Sequence, residues 1–333
     1  MKIKSIVALS MMVGAALMAQ AEPANAGRCP AASVGDITEY AIPSNATPGN
    51  ITFGPDGRLW FTEPSADKIA AVDPGGNVTE YPLAPISNPL GITPGPDGRV
   101  WFTETGSNRI GAITTSGVVT EYDIPTRNSS PSAITLGFDG NVWFTEVLGN
   151  KVGRITPAGV ITEFALPTAR SQPRGIAAGI DGNLWVAESF ANKIAKISAS
   201  GTVTEYPLPS SVASPNAVTL GPDLKIWFTT ASAIAKIDSS GTVTEFAIPT
   251  PDSGLSQITL GVDGNLWFTE LFGNKIGRIT TSGVITEFDL ARASSLPVGI
   301  TLLPSLQGCG ILDVWFTEAG GSRLGKIRAV TTR

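Results

Sequence analysis

The sequence contains no histidine among its 333 residues, and this absence restricts the chemistry that the protein can perform. Histidine is the side chain that titrates near neutral pH without perturbation, and it is the commonest general base and metal ligand. Without it, proton transfer would depend on a carboxyl group or another perturbed side chain. The sequence therefore excludes every site built on an imidazole.

Positive charge is also scarce. The chain has 23 lysines and arginines against 28 aspartates and glutamates, a net charge of −5, and its basic residues form no run. Proteins that bind nucleic acid or anionic membranes neutralise phosphates with clustered Lys and Arg. No apolar stretch after the N-terminus approaches the length of a membrane span. We therefore expect no nucleic-acid partner and no membrane insertion.

The N-terminus has the pattern of a secretory signal peptide. Two lysines precede an uncharged, largely apolar run from Ile6 to Ala19, and a small-x-small sequence, Ala24-Asn-Ala26, follows. This order of charge, apolar run and cleavage site is typical of exported proteins. We expect residues 1–26 to be removed and residues 27–333 to be a periplasmic or extracellular protein, and a monomer.

Tryptophan is distributed with a regular period. Successive tryptophans are separated by 41, 42, 42, 42, 40 and 48 residues. A repeat of about 40 to 45 residues with four short strands is the signature of a β-propeller blade. The seven tryptophans are Trp60, Trp101, Trp143, Trp185, Trp227, Trp267 and Trp315.

Each repeat carries turn signals between strand-like runs. In the copy at residues 134–167, an Asp-Gly pair precedes the tryptophan strand, and Gly159 precedes the last strand. Glycine accepts positive φ without steric cost, as tight hairpins require. The tryptophan strands are apolar at consecutive positions, as expected where both faces of a sheet are covered. We predict one all-β domain, a seven-bladed β-propeller of four-stranded blades.

The fourth strands predict how the ring closes. A Thr-Glu-aromatic motif marks each of them and occurs seven times, but the first copy precedes the first tryptophan and none follows the last. Residues 36–43 should therefore supply the outer strand of blade seven. The glutamates of this motif, called the outer glutamates below, are Glu39, Glu80, Glu121, Glu163, Glu205, Glu245 and Glu287.

The two cysteines fit the same closure. Cys29 precedes the borrowed strand, and Cys309 lies in an insertion of the seventh repeat, which the strand order places on the same face of that blade. In an exported protein such a pair is expected to form a disulfide, here across a loop of roughly 280 residues. The alternative is two unpaired thiols.

The repeat itself resembles the virginiamycin B lyase, or streptogramin lyase, family. The motif is Ile-Thr-x-Gly-x-Asp-Gly-Asn-Leu-Trp-Phe-Thr-Glu, then Asn-Lys-Ile-Gly-Arg-Ile and Thr-Glu-Phe-x-Ile-Pro, and the resemblance extends from about Asp36 to Ile327. It implies a seven-bladed propeller. It also implies a magnesium-assisted elimination that linearises a cyclic depsipeptide antibiotic.

The resemblance places the family's two catalytic histidines at Ser256 and Val298 of this chain. Neither side chain can accept a proton from a carbon acid at neutral pH. Of two family glutamates, one falls on Leu296 and the other matches only Glu318 or its neighbourhood. The fold is therefore implied more strongly than the reaction.

Six second strands end in glutamate at the predicted channel mouth, where blade five has Thr230. Carboxylates around one axis could hold Mg²⁺ or Ca²⁺, with Glu270 and Glu318 as the metal candidates. The alternative, which the repetition favours, is that each glutamate pairs with the Asn-Lys or Asn-Arg that follows in its own blade. These residues, called the inner glutamates below, are Glu63, Glu104, Glu146, Glu188, Glu270 and Glu318.

Departures from the repeat are the better candidates for ligand binding. Arg174 follows the proline that opens the first strand of blade four, where other blades have small, neutral or apolar residues. It could hold a carboxylate or carbonyl oxygen, or else be an ordinary exposed arginine. Asn216, Thr230 and Ser256 are further candidates. These residues favour a small-molecule or peptide ligand at the mouth.

Three functions are consistent with the sequence. The first is an exported propeller that binds a ligand without catalysis. The second is a Mg-dependent lyase of the virginiamycin B type, with a base other than histidine. The third is a metal-dependent lactone hydrolase, by analogy with other propellers. The absence of histidine favours the first, and the family resemblance favours the second.

Overall fold

A computed structural model describes residues 33–209, 214–261, 263–303 and 312–330 of the protein. These residues form seven four-stranded antiparallel sheets, and the first strands of the sheets contact one another in a closed circle. The predicted seven-bladed propeller is confirmed. Residues 1–26, Cys29 and Cys309, on which the predictions of a signal peptide and a disulfide depend, lie outside the described residues.

The strands follow the repeat, with each first strand innermost and each fourth strand outermost. Blade one has β2 (Ile51–Phe53), β3 (Leu59–Glu63), β4 (Lys68–Val72) and β5 (Val78–Pro82). Blade two has β6 (Pro89–Pro94), β7 (Val100–Glu104), β8 (Arg109–Ile113) and β9 (Val119–Asp123). Blade three has β10 (Pro131–Leu136), β11 (Val142–Glu146), β12 (Lys151–Ile155) and β13 (Ile161–Ala165). Blade four has β14 (Pro173–Ala178), β15 (Leu184–Glu188), β16 (Lys193–Ile197) and β17 (Val203–Pro207).

The remaining blades repeat this order. Blade five has β18 (Val218–Leu220), β19 (Ile226–Thr229), β20 (Ala233–Ile237) and β21 (Val243–Ala247). Blade six has β22 (Leu255–Leu260), β23 (Leu266–Glu270), β24 (Lys275–Ile279) and β25 (Ile285–Asp289). Blade seven has β26 (Pro297–Leu303), β27 (Leu312–Glu318), β28 (Arg323–Val330) and the N-terminal β1 (Ile37–Ala41). The short 3-10 turn Pro64–Ala66 is the one helical segment that we find in the described ranges, and no helix there is long and apolar enough to cross a membrane.

The core lies between the blades. Every residue of β3 is buried, and Trp60 packs with Ile92, Val100 and Phe102 of blade two. Each tryptophan also stacks on the aromatic residue of its own fourth strand, with ring centroids 5.3 to 5.7 Å apart. The tryptophans therefore join neighbouring sheets, as their fixed position in the strand predicts.

The aspartates of the hairpins have a second role that the sequence analysis did not foresee. In blade one, the indole Nε1 of Trp60 donates to Asp56 Oδ1 at 3.0 Å, and the same bond recurs in blades two to six at 2.8 to 3.4 Å. A buried indole N–H requires an acceptor, so the turn residue also satisfies the core tryptophan.

The N-terminal strand closes the ring as predicted. β1 pairs with β28 from Ile37 opposite Ile327 to Ala41 opposite Arg323. Tyr40 stacks on Trp315, which completes in blade seven the aromatic pair present in every other blade.

Buried threonine hydroxyls tie the innermost strands of neighbouring blades together. Thr317 Oγ1 of blade seven accepts from Gly299 N at 2.8 Å and donates to Gly49 O, in the loop before blade one, at 2.6 Å. Equivalent threonines of five other blades donate to the next blade in the same way. Blade four has Ala187 at this position. The carbonyls that accept these bonds belong to the residues around the channel mouth, so the threonines position the mouth.

Replacing Thr317 with valine should lower the free energy of unfolding by about 1 to 3 kcal/mol, because valine keeps the volume but leaves a buried N–H and carbonyl without their partner. Urea denaturation followed by tryptophan fluorescence measures this. Thr120→Val, at an exposed position of β9, is the matched control and should change little. Equal effects of the two substitutions would contradict the role of the hydroxyl.

Candidate ligand site at the channel mouth

The mouth is the face that carries the loops from fourth to first strands and from second to third strands. In blade four, Pro173 pairs with Glu188 at the end of the second strand, and the register then shifts before Ile176. Blades two, three, six and seven have the same shift. A bulge of this kind turns extra residues out of the ladder, here Arg174 and Gly175.

The bulges and their counterparts in blades one and five define two rings. The first, called the mouth ring, comprises Gly49, Leu90, Ser132, Arg174, Asn216, Ser256 and Val298. The second, called the channel ring, comprises Asn50, Gly91, Ala133, Gly175, Ala217, Gln257 and Gly299. The channel ring and a layer of isoleucines and Val218 enclose a cavity of ≈ 100 Å³ on the propeller axis.

Neighbouring blades approach closely at the channel ring, which explains its small residues. A Cβ atom on Gly175 would lie 2.2 Å from Asn216 O, and one on Gly91 would lie 2.3 Å from Ser132 O. Only positions further from the next backbone can carry longer side chains. Two members of the channel ring have longer side chains, Gln257 of blade six and Asn50 of blade one, which lie on either side of blade seven. Gln257 Nε2 donates to Asn50 Oδ1 at 3.4 Å.

Asn50 and Gln257 were not among the ligand-binding residues predicted from the sequence. The signal that could have found them is the one that identified Arg174, a departure from the repeat, because the other five members of the channel ring are glycine or alanine. With them, the channel wall is polar on the side of blades six and one and apolar on the side of blades two to five.

The structure brings three of the predicted ligand-binding residues together. Gly175 N donates to Asn216 O at 2.8 Å, and Asn216 Nδ2 donates to Ser256 O at 3.2 Å. Arg174, Asn216 and Ser256 thus lie on successive blades along one arc of the mouth. The Arg174 side chain is exposed and makes no ion pair or side-chain hydrogen bond with any residue in the described ranges.

Thr230 does not match the prediction of a ligand-binding role. It is buried, its hydroxyl accepts from Ala233 N and donates to Ala233 O, both at 3.0 Å, and it has no free group for a ligand. The loop that follows β19 is short, and the two hydrogen bonds between the Thr230 hydroxyl and the Ala233 backbone close it.

The inner glutamates do not pair with the Lys or Arg of their own blade, contrary to the favoured expectation. Lys151 lies opposite Glu146 in the ladder, but its Nζ contacts Glu163 at 2.8 Å. Glu146 itself is fully buried, and a Cβ on Gly149 would lie 2.8 Å from its Oε2. The carboxylate is covered by its own loop, whereas the lysine extends along the surface to the outer strand.

Burial raises the pKa of five inner glutamates, Glu63, Glu146, Glu188, Glu270 and Glu318, to about 7. The negative charge of the outer glutamate in the same blade raises the pKa of each further. Neither carboxyl oxygen of these five has a hydrogen-bond partner of good geometry within the described residues, although a serine next to four of them, Ser129, Ser171, Ser253 or Ser295, partly opposes the shift in pKa. Burial also raises the pKa of Glu104, but Ser107 donates to its Oε2 at 2.5 Å and opposes the shift.

The metal candidates Glu270 and Glu318 belong to this buried set, and they lie in different blades. Within the described residues, no three Asp, Glu, Cys or His side chains converge. Mg²⁺ and Ca²⁺ require several oxygen ligands around one point, together with water. Among the described residues, the inner glutamates therefore form no shared cluster of carboxylates for such a cation.

Comparison with known proteins is consistent with the repeat and the fold. The profile of the Virginiamycin B lyase family matches residues 13–233 and 209–332, which together span most of the chain.

The chain belongs to the virginiamycin B lyase family.

Solved structures of virginiamycin B lyases show how far the likeness extends. The selenomethionine-substituted enzyme from Staphylococcus aureus is 37% identical, with a TM-score of 0.83, and the alignment covers 89% of this chain and 99% of that one. A catalytically inactive histidine-to-alanine variant of the Staphylococcus aureus enzyme, solved with quinupristin, has the same identity and coverage and a TM-score of 0.82. A streptogramin B lyase is 35% identical, with a TM-score of 0.82 and the same coverage. A search of curated protein sequences gives no match.

Within the virginiamycin B lyase family, this chain keeps the scaffold and lacks every histidine. At the two positions that resemblance assigns to the family's histidines, the structure has Ser256, half-buried on the arc with Asn216, and Val298, whose carbonyl accepts from Thr269 Oγ1. Neither position supplies a base.

Proposed function

We propose that this protein is a ligand-binding member of the virginiamycin B lyase family that does not catalyse the family's elimination. One observation carries the proposal. The polar side chains of the mouth ring and the channel ring are a guanidinium, amides and hydroxyls, namely Arg174, Asn50, Asn216, Gln257, Ser132 and Ser256. None of these accepts a proton at neutral pH. The carboxyl groups whose pKa lies near 7 are all fully buried.

A general base must lie within hydrogen-bond reach of the proton that it removes. The inner glutamates have a suitable pKa but are buried away from any ligand. The mouth-ring side chains can contact a ligand but are not basic enough to remove a proton. The same mouth offers a cation, two amides on the channel wall and an apolar side, which is the composition of a site that binds and orients a polar ligand. The ligand class that this supports is a peptide or depsipeptide with carbonyl or carboxylate oxygens.

The inactive Staphylococcus aureus variant supports the separation of binding from catalysis. It lacks a histidine, and its structure contains quinupristin. A chain of this family without histidine is therefore expected to retain ligand affinity. We also propose that the protein is a monomer and that it is exported to the periplasm or the extracellular space, the export on the strength of its signal-like N-terminus.

The test combines binding with turnover. We expect the purified protein to bind quinupristin in isothermal titration calorimetry and to leave it chemically unchanged at high protein concentration, with or without Mg²⁺. Liquid chromatography with fragmentation mass spectrometry follows the ring, since elimination opens it at unchanged mass and hydrolysis adds one water. Ring opening that EDTA and Glu318→Ala abolish would overturn the proposal in favour of a lyase, and addition of water in favour of a lactone hydrolase.

Arg174→Ala should weaken quinupristin binding by about tenfold, because it removes a charged hydrogen-bond donor from the mouth ring. Arg127→Ala is the matched control, since Arg127 is exposed on the same face but lies outside the mouth ring. If both variants bind as the unaltered protein does, the ligand lies elsewhere.

A further inference from the structure

The channel ring departs from its own pattern at two positions that contact each other. Five of its members are glycine or alanine, whereas Asn50 of blade one and Gln257 of blade six carry carboxamides. Blade seven lies between them and has Gly299 at this position, where a Cβ atom would lie 2.9 Å from Asn50 Cα. The absence of a side chain at Gly299 therefore allows the blades to approach, and Gln257 Nε2 reaches Asn50 Oδ1 at 3.4 Å.

Buried threonines fix the backbone of both residues. Thr62 Oγ1 accepts from Asn50 N, and Thr269 Oγ1 accepts from Gln257 N, both at 3.0 Å. Both threonines are fully buried. The structure describes every residue of the three loops that enter blades one, six and seven, namely residues 42–50, 248–254 and 290–296. The pair is therefore held in place, as side chains that recognise a ligand must be.

The contact between the two amides leaves most of their hydrogen-bonding capacity free. Each carboxamide has two N–H donors and one oxygen, and 3.4 Å is near the long limit of a hydrogen bond. Within the described residues, neither side chain makes another hydrogen bond. Both side chains are half-buried and line the cavity on the axis. The pair therefore offers an N–H donor and a carboxamide oxygen to the cavity, and a half-turn of both amides leaves the same two groups free.

These two groups are complementary to one kind of ligand group. An amide that carries an N–H accepts through its carbonyl oxygen and donates through its nitrogen, so it satisfies both. An ester has the carbonyl but no N–H, and it would leave the free carboxamide oxygen of the pair without a partner. The layer of isoleucines on the axis offers apolar contact to a small substituent. The cavity of ≈ 100 Å³ limits the group that enters to a few non-hydrogen atoms.

We propose that Asn50 and Gln257 form a subsite for an amide that carries an N–H, a primary carboxamide or a peptide group, which extends from a ligand at the mouth into the channel. This inference rests on the proposed function, since it names the part of the mouth ligand that the channel recognises. The amide displaces water from the cavity and reproduces the hydrogen bonds of that water. The subsite selects the peptide groups of a depsipeptide over its ester group.

The probe is acetamide, compared with methyl acetate, which has a similar size but no N–H. We expect acetamide to bind about tenfold more tightly in NMR titrations that follow the backbone signals of the channel ring, because the ester leaves an acceptor of the pair without a partner. The double variant Asn50→Gly and Gln257→Ala should abolish this preference. It introduces the residues that the ring has at its other positions, so the variant should fold.

Asn77→Ala is the matched control, since it removes a carboxamide from a turn on the opposite face and should leave the preference intact. Equal affinity for the two probes, no binding of acetamide, or a preference that survives the double substitution would overturn the subsite. The comparison does not require quinupristin. If acetamide is preferred but quinupristin does not bind, the subsite stands and the ligand class of the proposed function is wrong.

Discussion

Lowering the pH from 8 to 5 should raise the thermal unfolding midpoint of this protein by roughly 10 °C. Five fully buried inner glutamates have a pKa raised by burial from 4.5 to about 7. Between these values the native state binds more protons than the unfolded state, so stability falls as the pH rises through this window. Above pH 7 the contribution of these protonated glutamates to stability is fully lost.

The size of the effect follows from the number of groups. A shift from 4.5 to about 7 corresponds to about 3 kcal/mol for each group that stays buried when it ionises. Water that enters when a group ionises reduces this free energy. We therefore expect the five groups together to lower the free energy of unfolding by on the order of 5 kcal/mol between pH 5 and pH 8. At pH values below the usual pKa of a carboxylate, stability should instead fall as the pH is lowered. Outer glutamates such as Glu163 form ion pairs and have a lowered pKa, and protonating them removes these ion pairs. Stability should therefore be greatest near pH 5.

A triple variant, Glu146→Gln, Glu188→Gln and Glu270→Gln, should flatten the pH profile and exceed the stability of the unaltered protein at pH 8. Differential scanning calorimetry between pH 4 and pH 9 measures the pH profile and the stability at pH 8. Glu104→Gln is the internal control and should have a smaller effect, because Ser107 already donates to Glu104. A profile that the triple variant leaves unchanged would show that these carboxyl groups are ionised and solvated in the native state.

Removal of the closing strand should destabilise the protein even more. A chain that starts at Ser44 lacks β1 and leaves β28 as an open edge along its length. It also loses Ile42, which is 1% exposed in the core between blades seven and one, and the Tyr40 ring that stacks on Trp315. We expect this chain to unfold or to aggregate, with a midpoint lowered by at least about 15 °C.

The matched control is a chain that starts at Ser33, which lacks Cys29 as the shorter chain does but retains the whole of β1, and it should melt well above the Ser44 chain. Circular dichroism and size-exclusion chromatography compare the two. Ile42→Ala, expected to cost about 2 to 5 kcal/mol, tests the same closure if the shorter chain cannot be purified. A monomeric Ser44 chain with an unchanged midpoint would show that the N-terminal strand adds nothing to the ring.

Much of the architecture could be predicted because its determinants are local. The tryptophan period, the turn glycines and the excess of one fourth-strand motif at the N-terminus together predicted seven blades and their closure by β1. Arg174 and Ser256 could be assigned to the mouth because they depart from a repeat whose geometry is the same in every blade. Asn50 and Gln257 are departures of the same kind, but they become visible only once the channel ring has been identified.

The fold, the closure of the ring and the absence of imidazole chemistry follow from residue type and from spacing along one chain, and could therefore be predicted. Which carboxyl groups are buried and which form ion pairs depends instead on tertiary packing. Lys151 has a carboxylate on each neighbouring strand, Glu146 and Glu163. The loop at Gly149 covers and buries Glu146, and Lys151 forms its ion pair with Glu163. The depth of a side chain beneath a neighbouring loop depends on how separate segments pack, and it fixes both the pKa of a carboxyl group and its access to a ligand.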